Sequence, residues 1–284
     1  MVLFGAACVL ISPLTVARAS GTQDEEWRLL LKKSAEYCRR LERAALDFIC
    51  LERISESVDF SKDVSLHAAR SKRSGGDTLS GRGRKISRQS IANSYVYDYQ
   101  LIRKGGEAEE RRILIEENGE KRNVKDAPLK TLNFVYRNAL FGPLGVLGEA
   151  AQSLFEYGLA GEETIDGRRV FIVETRPKPG AAAEFLYGKA WIRADDAAIL
   201  KIQWNPEGIG RQELFRDRAE RYGAAAELTM VSDFTVEKNG IRFPSRFRIE
   251  EAYIDPGGKR FVRSETTVVY DDFSFFVVEV DVIF

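Results

Sequence analysis

The residues that could do chemistry are few in this chain. It holds one histidine, His67. Ser-His-Asp and Cys-His catalysis each need an imidazole to take the nucleophile's proton, and most zinc sites need one as a ligand. His67 stands beside a strongly charged stretch, the usual setting of a surface histidine. Adjacent acids occur at Asp195-Asp196, Glu250-Glu251 and Asp271-Asp272. Neighbours on a strand point to opposite faces, so such pairs do not converge on one substrate atom. No Cys-x-x-Cys, Gly-x-Gly-x-x-Gly or P-loop is present, and Gly208-Ile209-Gly210 is only turn-like. Nothing favours a glycosidase-type carboxylate pair drawn from distant strands. The sequence therefore points away from an enzyme and calls for no cofactor and no metal.

Three other groupings carry more. The stretch Arg70 to Arg88, RSKRSGGDTLSGRGRKISR, is basic and rich in Gly and Ser, with Arg82, Arg84 and Lys85 at its centre. It reads either as a solvated flexible loop or as a contact for an anionic surface such as lipid headgroups. Lys+Arg and Asp+Glu are both 43, so no global charge favours nucleic acid. The segment from Ala127 to about Gly158 gathers Phe134, Tyr136, Phe141, Leu144, Val146, Leu147, Leu154 and Phe155. These residues either cap a core or form the groove or lid of an apolar ligand site. Cys38 and Cys50 are the third grouping, a disulfide candidate in an oxidising compartment. On one straight helix a spacing of twelve residues is about 18 Å, too far for a bridge. A bridge therefore requires the helix to end between them, and the alternative is two buried free thiols.

The elements that must position these groups follow from periodicity. Residues 1–19 contain the uncharged run VLFGAACVLISPLTV and end Ala17-Arg18-Ala19. That is the pattern of a cleaved export signal, although no Lys or Arg precedes the run; the alternative is a buried N-terminal helix. The run is short for a membrane span, and Cys8 lacks the apolar residue a lipoprotein signal places three before it. Glu25 to about Arg43 predicts an amphipathic helix with Trp27, Leu30, Leu31, Ala35, Cys38 and Leu41 on one face. From Ala45 the period becomes two: Leu46, Phe48, Cys50, Ile54 and Val58 share a side, interrupted by Glu52 and Glu56. Hairpins then follow in series, with turns at Asp166-Gly167, Ala194-Asp195-Asp196, Lys238-Asn239-Gly240 and Asp255-Pro256-Gly257-Gly258. Tyr95, Tyr97, Tyr99 and Leu101 share one strand face, and RQELFRDRAERY is a short helix candidate. The expectation is a mainly antiparallel β (α+β) fold of about ten strands, with residues 20–284 forming one domain. Only one substantial helix is available to cover so long a sheet, which leaves room for a ligand.

The last residues, FSFFVVEVDVIF, alternate like the closing strand of an outer-membrane barrel. Upstream strands argue against lipid on the outside. ERRILIEENG carries Glu110, Arg112 and Glu116 on one face and Arg111 and Glu117 on the other. The expected inward row is then Phe276, Val278, Val280, Val282 and Phe284, with Glu279 and Asp281 facing water.

The order of these elements resembles a known family. The leader, the helix, the strand ALDFICLE, the hairpin GKAWIRADDAAILKIQW and the pair VSDFTVEKNGIRFPSRFRIEEAY are similar to the periplasmic lipoprotein-carrier superfamily, with its Lol-type lipoprotein chaperone and receptor. The resemblance implies an incomplete, open β-barrel wrapped around helices. It also implies a soluble periplasmic protein whose concave face takes a lipid or acylated ligand. An envelope protein partner follows from the same likeness, and peripheral membrane contact is the expectation that the basic stretch carries. The resemblance transfers no individual contact residue, and the Arg70–Arg88 stretch departs from the small carriers.

Overall fold

The computed structural model describes residues 20–46, 48–63, 90–104, 107–132, 134, 142–180, 186–208 and 212–276. The leader, His67, the basic stretch with Arg82, Arg84 and Lys85, and the strand beyond Phe276 lie outside these residues.

Helix α1 (Ser20–Ala44) turns Leu30, Ala35, Tyr37, Cys38 and Leu41 inward at three-to-four spacing, and its charged residues outward. It is followed by β1 (Phe48–Asp59), a helical turn at 61–63, β2 (Ser90–Lys104), β3 (Glu107–Glu117) and β4 (Glu120–Val124). Next come two short helices, α2 (Gly142–Leu147) and α3 (Glu149–Gln152). The strands β5 (Phe155–Ile165), β6 (Arg168–Pro177), β7 (Gly188–Arg193) and β8 (Ile199–Trp204) form a meander. Helix α4 (Gln212–Tyr222) precedes β9 (Ala225–Asp233), β10 (Val236–Lys238), β11 (Ile241–Phe243), β12 (Arg246–Ile254) and β13 (Arg260–Phe275).

Among the described residues eleven strands form one antiparallel sheet in the order β4-β3-β2-β1-β13-β12-β9-β8-β7-β6-β5, and it does not close on itself. The expected antiparallel class is therefore found, with more strands than the hairpin rhythm suggested. The difference has a local cause. The β9–β12 hairpin breaks at Phe234 and at Pro244, which has no N–H for a ladder. Beyond the break β10 and β11 pair as a separate ribbon around Asn239-Gly240, whose φ values of 53° and 72° fit a tight hairpin turn.

The strand order has one large consequence. The chain leaves β4 at one edge of the sheet and enters β5 at the other. Eleven strands leave ten gaps, about 48 Å across a flat sheet. The thirty residues 125–154 reach at most about 100 Å when extended, enough to make the crossing. The described residues of this crossover and α1 lie over one face, and most of the buried apolar side chains form one continuous cluster there. Among the described residues no helix is long and apolar enough to cross a membrane.

The end of β13 corrects one expectation. Ser264, Thr266, Val268 and Tyr270 point inward. Asp272 then has φ 52°, and the pairing with β1 shifts by one residue between Ile49 and Leu51. This bulge reverses the alternation. Phe273 and Phe275 become the inward residues, stacked on each other and packed on Phe48 and Phe243 with ring centroids 5.0–6.1 Å apart. Phe276 is 50% exposed instead of buried. The remaining members of the expected row lie outside the described residues.

Candidate functional site

The covered face is the candidate site, and the crossover is its cover. The first half of the crossover is held mainly by polar contacts. The N–H of Ala127 donates to the carbonyl of Arg112 at 2.9 Å. The hydroxyl of Tyr97 donates to the carbonyl of Pro128 at 3.4 Å and accepts from the N–H of Lys130 at 3.1 Å. The N–H of Leu132 donates to both carboxylate oxygens of Glu56, at 2.9 and 2.8 Å. Phe134 then stacks on Phe215 of α4, with centroids 6.0 Å apart and planes 14° apart.

The second half is held mainly by burial. Val146 and Leu147, with Phe155 at the start of β5, have at most 1% exposure, while Leu144 and Leu154 pack half-buried against the same cluster. Burying the first three contributes roughly 5–9 kcal/mol at about 1.5–3 kcal/mol each. A Cβ on Gly142 would lie 2.9 Å from Cζ2 of Trp204, so α2 starts hard against that ring. Gln152 Nε2 donates to the carbonyls of Leu31 and Leu147 at 2.8 and 2.9 Å. The hydroxyl of Tyr157 donates to the carbonyl of Val146 at 2.6 Å. Helices of six and four residues have no stability of their own and keep their shape through these contacts. The structure thus brings six of the eight apolar candidates together with the core; Tyr136 and Phe141 lie outside the described residues.

The face also contains charge that the sequence reading did not place there. Glu52 and Glu56 occupy the inward register of β1 with Phe48, Cys50, Ile54 and Val58. Glu52 is 0% exposed and takes a two-pronged pair from Arg112, with Nε at 2.6 Å and a second nitrogen at 3.1 Å. Arg112 also donates to Glu110 at 3.1 Å, and the hydroxyls of Tyr270 and Tyr99 donate to Glu52 and Glu110 at 3.0 Å each. Burial works against the charge on Arg112, but the hydrogen bonds and charges of Glu52 and Glu110 outweigh it and hold its pKa above the ordinary arginine value. Burial, reinforced by Glu110, pushes the Tyr99 hydroxyl well above the usual phenol range.

A second cluster sits under α4. Glu251 accepts from Arg218 at 2.9 and 3.1 Å, Arg263 at 3.3 Å, Ser264 at 3.1 Å and the Tyr253 hydroxyl at 2.6 Å. Arg263 continues to Asp63 at 3.2 Å and to the Tyr222 hydroxyl at 3.1 Å, and Tyr222 donates to Asp63. Glu250, one residue before, points to the other face and pairs with Arg248 and Arg260, as expected for adjacent acids on a strand. The signal for the buried carboxylates was their register: each falls in an otherwise apolar alternating row. These groups are engaged with arginines, hydroxyls or backbone N–H groups, so they position elements and leave no evident nucleophile–base pair.

The Cys38–Cys50 bridge is not formed. Both thiols are free and buried. The helix does end between them, at Ala44, but the side chains face different neighbours. Cys38 Sγ lies 3.6 Å from the carbonyl of Pro143, and Cys50 lies in the inward row of β1 opposite Tyr99. Burial raises the Cys38 thiol to about 12 and pushes Cys50 up as well.

No protein-family model and no curated protein matches the sequence. Solved structures similar to it include a DUF1329 family protein from Desulfovibrio piger, at 14% identity, covering 88% of this chain and 95% of the other with a TM-score of 0.37. A domain described as an outer membrane lipoprotein-sorting protein, from Vibrio parahaemolyticus, matches at 9% identity with the same coverages and TM-score. A LolA superfamily protein from Nitrosomonas europaea matches at 9% identity, covering 89% and 94% with a TM-score of 0.33. These comparisons name the group that the sequence resembles. Likenesses of this strength do not decide a function.

Proposed function

We propose that the chain is a non-enzymatic periplasmic protein that holds a lipid, or the acyl part of an acylated protein, against the covered face of its open sheet. The crossover of residues 125–154 is the cover that lifts. The observation that supports this most is the crossover itself. A single connection joins the two opposite edges of the sheet, and its described residues Phe134, Val146 and Leu147 belong to the core cluster of the covered face. An acyl chain then replaces apolar side chains rather than entering a void. About ten methylenes gain roughly 8 kcal/mol on leaving water. That matches the roughly 5–9 kcal/mol that the crossover's own Phe134, Val146 and Leu147 would lose if fully exposed. The exchange is near balance, as a reversible carrier requires.

On this reading residues 1–19 are a leader removed on export, and residues 20–284 act as one domain. The Arg70–Arg88 stretch, with Arg82, Arg84 and Lys85, touches anionic headgroups at the membrane surface. The test is mass spectrometry of an organic extract of the purified protein, followed by titration of the delipidated protein with an acylated fluorescent probe. A co-purifying lipid and saturable binding at about micromolar probe are expected. No lipid and no binding would remove the reading. Capture of one specific envelope protein without lipid would replace it with a sensor role.

A further inference from the structure

We propose that the outward side of α1 is a docking surface for an anionic phospholipid bilayer. Docking gives the lipid-binding reading its membrane, and rests on that reading for its purpose but not for its test.

The chain as a whole balances its charges, with 43 of each sign. Helix α1 does not. Between Arg28 and Arg43 it carries Arg28, Lys32, Lys33, Arg39, Arg40 and Arg43 against Glu36 and Glu42, a net charge of +4. All six cations are exposed, because the opposite side of the helix buries Leu30, Ser34, Tyr37, Cys38 and Leu41. At about 100° per residue, Arg28, Lys32, Arg39 and Arg43 fall within about 60° of one another, with Lys33 and Arg40 on the adjoining line. The stripe is about 22 Å long at 1.5 Å per residue.

Most of these cations are not committed to acids. On the strands, the exposed arginines Arg53, Arg122, Arg169 and Arg260 each hold two acids. On α1, Glu36 pairs with Arg39, and Arg40 lies over the Tyr37 ring at 5.4 Å. Arg28, Lys32, Lys33 and Arg43 make no ion pair among the described residues.

A compact acidic ligand would need such charges to converge on it. Here they are spread along one side of a helix, which suits a flat array of phosphates. Guanidinium and ammonium groups both bind phosphate, and each cation near an anionic leaflet adds to the attraction. Leu29, 54% exposed on the same side, adds apolar surface at headgroup depth. Helix α1 also packs on α2 and α3, and Gln152 of α3 donates to the carbonyl of Leu31 at 2.8 Å. A bilayer on the outward side of α1 therefore meets the molecule on the side of its cover.

The test is co-sedimentation of the purified protein with vesicles of equal parts phosphatidylglycerol and phosphatidylcholine, and with phosphatidylcholine alone. Binding to the anionic vesicles only is expected, with loss at about 0.5 M salt, where the screening length is under about 5 Å. The variant Arg28→Glu/Lys32→Glu/Lys33→Glu/Arg43→Glu keeps a good helix former at every position. With far-UV circular dichroism unchanged, it is expected to bind at least about tenfold more weakly. The milder Lys32→Gln/Lys33→Gln is expected to bind about threefold more weakly or less, and decides the matter if the fourfold reversal does not fold. Arg82→Gln/Arg84→Gln/Lys85→Gln controls for the basic stretch and is expected to keep salt-sensitive binding. Equal binding by wild type and the folded α1 variant, or loss of all binding in the Arg82 variant, overturns docking through α1. A wild type that does not bind the anionic vesicles also overturns it, and capture by immobilised polyglutamate would then assign the stripe to an acidic protein. Vesicle binding without uptake of 11-(dansylamino)undecanoic acid keeps the docking surface and removes the lipid-binding reading.

Discussion

Replacing Arg112 by Met should be among the most damaging single changes to this fold. Arg112 is 7% exposed and lies between Glu52, at 0%, and Glu110. Methionine fills much of the same space but removes the positive charge. Both acids then lose their arginine inside the sheet. Removing one partner of a buried ion pair costs about 3–5 kcal/mol. A domain of this size loses roughly 2–4 °C in Tm for each kcal/mol, so the expected fall is roughly 6–20 °C. Urea unfolding followed by circular dichroism measures it at pH 7. The cycle is completed by Glu52→Gln with Glu110→Gln, alone and combined with Arg112→Met. The triple variant should recover much of the loss, with a coupling of about 2–3 kcal/mol. If Arg112→Met costs under about 1 kcal/mol, or the triple variant is worse than the single by the full sum, the acids do not depend on Arg112 as the geometry requires.

Two further outcomes follow from burial. Cys38 and Cys50 should be inert to a thiol reagent in the native protein and react as two thiols in guanidinium. A native-state reaction within seconds, or no thiols after unfolding without reductant, would contradict the free, buried assignment. Burial raises Tyr37, Tyr97 and Tyr222 from about 10 to about 12. The raised values mean that the neutral phenol is favoured in the folded state. Their stabilising contribution is complete below about pH 10 and is lost as pH rises toward 12. Absorbance at 295 nm should show these phenols ionising late and together with unfolding; full ionisation near pH 10 in folded protein would refute it.

Much of the architecture was legible locally. Helix α1 and the hairpins at Asp166-Gly167 and Asn239-Gly240 follow from period and turn chemistry, because both depend on residues close in sequence. The polar interior was harder to read. Glu52 and Glu56 looked like interruptions of an apolar row, but Arg112, which neutralises Glu52, stands sixty residues away on β3. Of the row expected to face inward at the C-terminal end, Phe276 differs, because one residue, Asp272 at φ 52°, reverses the alternation and sends it outward. An aspartate in that conformation has no distinctive sequence pattern around it.

The apolar cluster of the crossover illustrates a deeper limit. Its composition was plain, yet composition alone left capping and lid as alternatives. Strand order shows the capping: the described apolar residues of the segment pack into the core cluster. Because β4 and β5 are opposite edges, the segment that joins them has to cross the sheet, and Phe134, Val146 and Leu147 become core on the way while Leu132 stays exposed. The same segment is anchored in halves of different character: mainly hydrogen bonds from Ala127 to Leu132, mainly side-chain burial from Val146 onward. A cover built this way does not peel uniformly. If the cover lifts as proposed, the hydrogen-bonded half from Ala127 to Leu132 parts at less apolar cost than the half packed on α1. Substitutions at Glu56 or Tyr97 should therefore alter ligand exchange more than global stability, whereas substitutions at Val146 or Leu147 should do the reverse.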